Sequence, residues 1–464
     1  MDSKEKISTQ NSRMFLFLWS LVNLFDLISC AETALFFRLG EVYLPLIIAI
    51  SFIASLAFVL FDFSPNLAKK LIVAASVTQI LAICSIAPEY PNHRFLAALI
   101  NISLLYELYK NYSLNLSENF VYTAKFLTTL VYGFAFFHKL NIDYLDPSVS
   151  CASQFTKDLM VYYPGFEFLH YLEKTFPWIG LLTEGFLALI FFLPSAFSVI
   201  AVAIGFIFHS FLALHIQRHF FDFSSLMMTL LLLFVPSSKQ VRLPAKVLRW
   251  FIGLGFLGAY ILLLDPSSQI SSIAVIQIRS RIWLVFAVLI TYIAYKQAAT
   301  FDLRSKSISF KKIGALNFVL IALAFISGIT PYLGLKTRYA FDMYSNLLVE
   351  DHKSNHFVIP SSLQARIFTD DLVDVVKVKN IEKVFPRVRP DVIVEGERIV
   401  RFQLMAIMAR APELAVSIVD NGVEREITDV SQVYSDGWVA PWIVRKIIGF
   451  RPVKPKDSQS VCQW

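Results

Sequence analysis

The side chains best suited to chemistry in this sequence are ionisable groups set inside long apolar runs. Lys125, Tyr132 and Lys139 follow one another at intervals of seven residues, nearly two helical turns each, so they share one face of a single helix. A free lysine is protonated at neutral pH, so a lysine base needs surroundings that favour the amine. Phe136, Phe137 and His138, just ahead of Lys139, supply such a setting. The plainer alternative is an interfacial lysine whose head reaches water while its stem packs on apolar surface. Glu184, within Leu181–Phe186, and Asp26 also lie inside apolar runs. Each needs a partner there: an ion pair with Lys125, a proton relay or a substrate contact. His209 and His215 lie on a later apolar run, and His215 and His219 are four apart. Two histidines without the glutamate of an HExxH pattern do not make a zinc site, and no metal is expected. Cys30, Cys84, Cys151 and Cys462 form no CxxC pattern. Cys151 and Cys462 would be able to pair if they share an oxidising compartment, although spacing alone does not pair them.

These residues sit in a chain of 464 residues that is 56% hydrophobic and only 17% charged, with a mean hydropathy of +0.59. Soluble domains carry about 25% charged residues. The composition therefore argues against a soluble enzyme, a nucleic-acid-binding domain and a secreted disulfide scaffold. The apolar runs 14–36, 42–61, 69–88, 94–110, 119–140, 175–194, 196–217, 221–236, 246–264, 280–296 and 312–330 predict eleven membrane helices, or ten and a re-entrant segment, since 221–236 is short. The expected fold is an all-α polytopic membrane bundle of about 10–11 transmembrane helices. A small C-terminal non-cytoplasmic α+β domain would follow it.

The net charge of +7 is spread over short loops rather than gathered into a nucleic-acid-binding patch. Lys4, Lys6, Arg13, Lys69, Lys70, Lys110, Lys239–Arg249 and Lys296–Lys312 fall on one side of the expected helices. By the positive-inside rule that side is cytoplasmic. Residues 1–13 are then a cytoplasmic tail and 14–330 the helical domain. The loop 141–174 and residues 331–464 lie outside. That loop carries Tyr144, Tyr162, Tyr163, Phe166 and Phe168, either an aromatic belt at the membrane surface or a lid over an apolar cofactor. Leu27–Cys30 has the outline of a lipoprotein cleavage box, but Asp26 interrupts the apolar run a signal needs, so no processing is expected there. Beyond about residue 337 charges become frequent. Asn421-Gly422 between two alternating runs predicts a type I′ hairpin, and Phe402–Ala411 a short helix.

The segment from Tyr132 to Leu145 resembles the Y-x-x-A-G-x-x-K-L-x-x-D-W-L motif of vitamin K-dependent γ-glutamyl carboxylases, members of the wider HTTM membrane family. Ala135, Lys139, Leu140, Asp143 and Leu145 match it, while Phe136 stands at the glycine and Tyr144 at the tryptophan. The stretch from Phe208-His209 through His215 to Phe223–Pro236 is similar to a second helix pair of that family. Residues 331–360 are similar to a stretch of some bacterial HTTM proteins.

The resemblance implies an integral membrane enzyme, in a bacterial plasma membrane, with Lys139 as the base that deprotonates vitamin K hydroquinone or a related quinol. Oxygen would then convert the quinol to a strong base that removes a glutamate γ-proton, and the carbanion would capture CO2. The family's second catalytic group would map to His215 or His209. Tyr132, Phe136 and His138 would contribute to the quinol site. Implied partners are the bilayer, the quinol and a peptide or protein on the non-cytoplasmic side. The C-terminal region is far shorter than the domain with which animal carboxylases grip their substrates. Two other readings stand beside this one. A carrier would use Lys125, Glu184 and Asp26 as a polar pathway, and a scaffold would bind a partner through its outer domain.

Overall fold

The computed structural model describes residues 12–23, 65–87, 90–110, 114–215, 220–235, 272–299, 313–384, 388, 392–454 and 462. The expected helices 42–61 and 246–264, Asp26, Cys30, His219 and the basic clusters at 239–249 and 304–312 lie outside these residues. Helical residues 12–23 are followed by α1 (Pro65–Ile86), α2 (Asn92–Lys110) and α3 (Glu118–His138). Ser117 starts α3 by accepting the Phe120 N–H, and Lys139 ends it, its own N–H bonding to the carbonyls of Phe136 and Phe137. The stretch 141–174, expected as a loop, is largely helical. It holds α4 (Ile142–Leu145), α5 (Cys151–Tyr162) and a 3₁₀ segment at Pro164–Thr175. Asn141 and Ser150 act as local caps that start the two helices. Next come α6 (Phe176–Ala188), α7 (Ser195–Ala213), α8 (Phe221–Leu231), α9 (Ser272–Ala298) and α10 (Ala315–Ile329).

α3 is central to the helical part, packing against α2, α6, α8 and α10. Its buried face includes Phe120, Ala124, Leu127, Val131 and Phe134, spaced at the three-to-four-residue interval of one helix face.

The expectation of an all-α polytopic membrane bundle is not met. The structure is about 61% helical, and among the described residues it also contains a four-stranded sheet. Among the described residues only α3 and α7 are long and apolar enough to cross a membrane. The reason is length and polarity. α6, α8 and α10 have 13, 11 and 15 residues, or roughly 16–23 Å at 1.5 Å per residue, against a hydrocarbon core of about 30 Å. α2 is longer but buries His93, Arg94, Asn101 and Glu107. Apolar runs counted along the chain thus include short or polar helices packed against one another.

The C-terminal region forms a separate core around Val375, Ile399, Phe402, Met405, Ile418 and Phe450. Its strands β1 (Leu372–Lys379), β2 (Arg398–Val400), β3 (Ala415–Asp420) and β4 (Val423–Ile427) make an antiparallel sheet in the order β2-β1-β3-β4. α11 (Ile381–Val384) follows β1. α12 (Arg401–Met408), close to the helix expected at Phe402–Ala411, buries seven of its residues. The Asn421-Gly422 turn has φ of 52° and 82°, as a type I′ turn requires, and it sets the β3–β4 register with Asp420 opposite Val423. The last helix is α13 (Trp442–Ile447).

Arg401 ties this sheet together. It forks onto both oxygens of Asp420 at 2.7 Å and reaches Asp371 at 2.8 Å through Nε, while Arg425 contacts Asp420 at 2.6 Å. The Arg401 hydrogen bonds, against the opposing effect of partial burial and helped by the two guanidinium charges, hold the Asp420 carboxyl below its ordinary range. A carboxyl depressed in the folded state adds stability above its unfolded pKa of about 3.9, and that stability is lost as pH falls through the folded value. Protection of the Ala415–Ile427 hairpin amides, with the exchange rate corrected for the intrinsic effect of pH, should therefore fall below about pH 4. Asp420→Asn should exchange faster at pH 7 and flatten this acid response; an unchanged acid profile would count against the linkage.

Candidate active site

At the C-terminal end of α3 the chain closes an apolar cavity of about 130 Å³. Val131, Ala135 and Lys139 reach it from α3, Gly180 and Glu184 from α6, and Tyr144 from α4. Lys139 is only 5% exposed, so it does not snorkel to an interface. Its Nζ lies 2.9 Å from Oε1 and 2.7 Å from Oε2 of Glu184, itself 8% exposed. The ion pair expected between Glu184 and Lys125 is therefore formed with Lys139 instead. Asp26, the third residue of the carrier's polar pathway, lies outside the described residues. A buried pair of this kind is costly to assemble and costly to break, because each charge has left water.

The Tyr144 ring centroid is 5.7 Å from Lys139 Nζ. Burial, with Glu184 adding to it, raises the Tyr144 phenol well above its usual value, so the ring stays neutral. The phenol fits because position 180 is glycine: a Cβ there would stand 2.6 Å from Tyr144 Oη. One turn further along α6, a Cβ on Gly185 would meet the Phe136 ring at 2.9 Å. The two glycines let α3 and α4 approach α6 closely enough for Lys139 to reach Glu184.

Two neighbouring residues of α2 complete the polar part of the wall. His93 Nε2 is 3.2 Å from Asp222 Oδ2, and Arg94 approaches the same oxygen at 3.8 Å. Beside His93, Asn92 is 2% exposed, and its Oδ1 accepts the Phe341 N–H at 2.7 Å. That bond fixes the amide orientation, and Nδ2, buried, has no hydrogen-bond partner among the described residues. A buried amide donor without a partner is a place for a ligand oxygen. The remaining wall is largely aromatic, with Phe155, Phe176, Phe208, Phe211 and Phe223 among its rings.

The roof is the segment 336–359, part of the stretch that resembles bacterial HTTM proteins. Phe341, Met343 and Tyr344 project from it into the cavity wall. Tyr339, Phe341, Tyr344, Asn346, Asp351 and His352 all have φ between 53° and 61°, a conformation that costs most non-glycine residues of order 1 kcal/mol or more. Side-chain amides hold it in place. Asn141 donates to Ser345 O at 2.6 Å, Asn355 to Asn346 O and Asp143 Oδ2 at 2.7 Å each, and Asn346 accepts from Cys151 N at 2.8 Å. Asp143 of the carboxylase-like motif thus fastens the roof. Below Asn346, Cys151 and Cys462 form a disulfide across 311 residues, with Cys151 in the cavity wall.

Apart from Lys125, at the other end of α3, the remaining candidate site residues lie near this cavity but not in its wall. Tyr132 Oη is 2.6 Å from His209 Nε2, one buried pair between α3 and α7. His138 is fully buried, its ring nitrogens facing the carbonyls of Phe341 and Gly328 at 3.2 and 3.0 Å. Phe136 packs on α6 at Gly185. His215 Nε2 lies 3.2 Å from Asp158 Oδ2, with its ring 4.6 Å from that of Phe155. The histidine in the wall is His93, which sequence reading passed over. Its signal was available in Asn92-His93-Arg94, three polar residues opening an apolar run. No group of three or more metal-ligating side chains occurs among the described residues.

This is a buried lysine–carboxylate pair and a histidine–aspartate pair on one aromatic cavity, the equipment of a proton-transfer site for an apolar ligand. Comparison with known proteins finds no family model, no curated protein and no solved structure that matches the chain.

Proposed function

We propose that the chain is a membrane-embedded enzyme of the γ-carboxylase type, in which Lys139 takes a proton from a quinol held in the aromatic cavity. The observation that carries the reading is the Lys139–Glu184 pair, buried, with Lys139 at the lysine of the motif that resembles those enzymes and facing an apolar cavity rather than solvent. The residues fit a quinol head group. A cavity of about 150 Å³ takes a benzene, so 130 Å³ is the size of a single quinol ring, and the second ring of vitamin K hydroquinone and any prenyl tail must extend beyond it. The tail has a way out beside Ile179, which is both in the wall and 45% exposed on the apolar outer face of α6.

Each polar group then has a task. Asn92 Nδ2 would donate to a ligand oxygen, and Lys139 would face a ligand hydroxyl. Exclusion of water by an apolar ligand favours the uncharged form of the pair, with the proton on Glu184 and a free amine on Lys139. That amine would receive the hydroxyl proton. His93, oriented by Asp222, would serve as a second proton acceptor or donor on the adjoining wall. When bound, the quinol would supply, with oxygen, a base strong enough to deprotonate a carbon acid such as a glutamate γ-carbon, and CO2 would trap the carbanion. A peptide or protein carrying that carbon acid would approach from the non-cytoplasmic side. Membrane residence is supported by the apolar α3 and α7 and by exposed apolar side chains such as Leu182, Ile207, Phe318 and Val288.

The test is oxygen-dependent epoxidation of vitamin K hydroquinone by the full-length protein in detergent, with glutamate-containing peptides present. Lys139→Gln should lower the rate by about 10²–10⁴-fold, the usual worth of a positioned base. Ala135→Phe, which fills the cavity and leaves both charged residues in place, should be comparably inactive. If wild type makes no epoxide, or both folded variants keep its rate, the proposal fails.

A further inference from the structure

A second polar site lies on the same helix as Lys139 but at its other end. Lys125 is 14 residues before Lys139, about 21 Å along α3. It lines a separate pocket of about 320 Å³ formed by helical residues 12–23, α3, the stretch after α8 and α9. The pocket is mainly apolar, with Phe15, Leu18, Leu232 and Val235 in its walls, and Tyr122 and Gln297 add polar edges. Lys125 Nζ lies 5.4 Å from the centroid of the Phe234 ring. Among the described residues no carboxylate stands within ion-pair distance of it. Glu118 also lines the pocket, but it is exposed and lies seven residues earlier on α3, about 10 Å along the axis.

A half-buried ammonium over an aromatic ring, facing an apolar pocket with no counter-ion among the described residues, invites an anionic partner. The Lys139–Glu184 pair shows how the same helix satisfies its other lysine. We infer that this pocket binds an anionic amphiphile, with its acidic head on Lys125 and its apolar body along Phe15, Leu18 and Leu232. Acidic phospholipids and free fatty acids share that chemistry. A ligand approaching past Glu118 must place its negative charge beyond that carboxylate, at the depth of Lys125. The site is independent of the proposed quinol chemistry, because it shares no wall residue with the Lys139 cavity.

The full chain, purified in a neutral detergent, would be titrated with phosphatidylglycerol, phosphatidylcholine of the same chains, oleate and inorganic phosphate, with retained ligand read by native mass spectrometry. Phosphatidylglycerol or oleate should bind saturably, one per chain, and phosphatidylcholine should not. Lys125→Met should weaken binding about ten- to hundredfold, the worth of one charge-assisted contact, and Lys125→Arg should largely restore it. Preference for phosphatidylglycerol over oleate identifies a lipid head group as the source, and the reverse a free fatty acid. Inorganic phosphate binding as tightly as either amphiphile would overturn the apolar half of the inference. Equal binding of phosphatidylcholine, or unchanged binding by a Lys125→Met protein that melts like wild type, would overturn the whole.

Discussion

Glu184→Leu is expected to destabilise the protein by about 3–5 kcal/mol, because it strands the buried Lys139 ammonium without its carboxylate. Lys139→Met should cost a similar amount by stranding the carboxylate. The double variant should cost less than either single one, since an apolar pair of similar volume avoids both desolvation penalties. Denaturant unfolding of the four proteins closes the cycle. Both residues are under 10% exposed, so solvent screening does not weaken the expectation as it does for a surface ion pair. If the single variants lose under about 1 kcal/mol, the level of a surface pair, then the pair is wetter than its burial indicates. The double variant also separates stability from chemistry: it should fold well and still fail to oxidise a quinol.

Removal of the Cys151–Cys462 disulfide should have an effect of comparable size. The bond closes a loop spanning 311 residues, and loop-closure entropy places the stabilisation from such a crosslink at up to about 5 kcal/mol, with native-state effects reducing it. Cys462→Ser should therefore lower the melting temperature by several degrees, and the loss should not be uniform. Cys151 begins α5, lines the cavity and donates its backbone N–H to Asn346 Oδ1, so the roof should loosen first. A buried arginine provides a second tether for the tail, with Arg451 Nε 3.2 Å from Glu350 Oε1 and its guanidinium bonded to Leu347 O. Hydrogen exchange at residues 336–359 should rise in Cys462→Ser more than in the β1–β4 sheet. Equal change in both regions would mean that the disulfide stabilises the chain as a whole and does not specifically fasten the roof.

The sequence by itself determined the elements whose cause is local. Ser117 and the apolar face after it start α3, and the Asn421-Gly422 turn produces its hairpin because both residues tolerate positive φ. Lys139 and Glu184 were legible as unusual residues because a charge within an apolar run is expensive wherever the run ends up. What each charge pairs with was not legible. The choice between Lys125 and Lys139 as the partner of Glu184 depends on how closely α3 and α6 approach, which Gly180 and Gly185 decide through Tyr144 and Phe136. The number of spanning helices was overread for a related reason. Hydropathy measures the apolar content of a run but not whether protein or lipid will cover it, and short helices such as α8 cover one another. Only tertiary structure brought His93 from α2 and Asn92 beside it to a lysine at the end of α3. Only the folded chain carried residues 336–359 back over that site, since contacts between segments about 200 residues apart leave no periodic trace in the sequence.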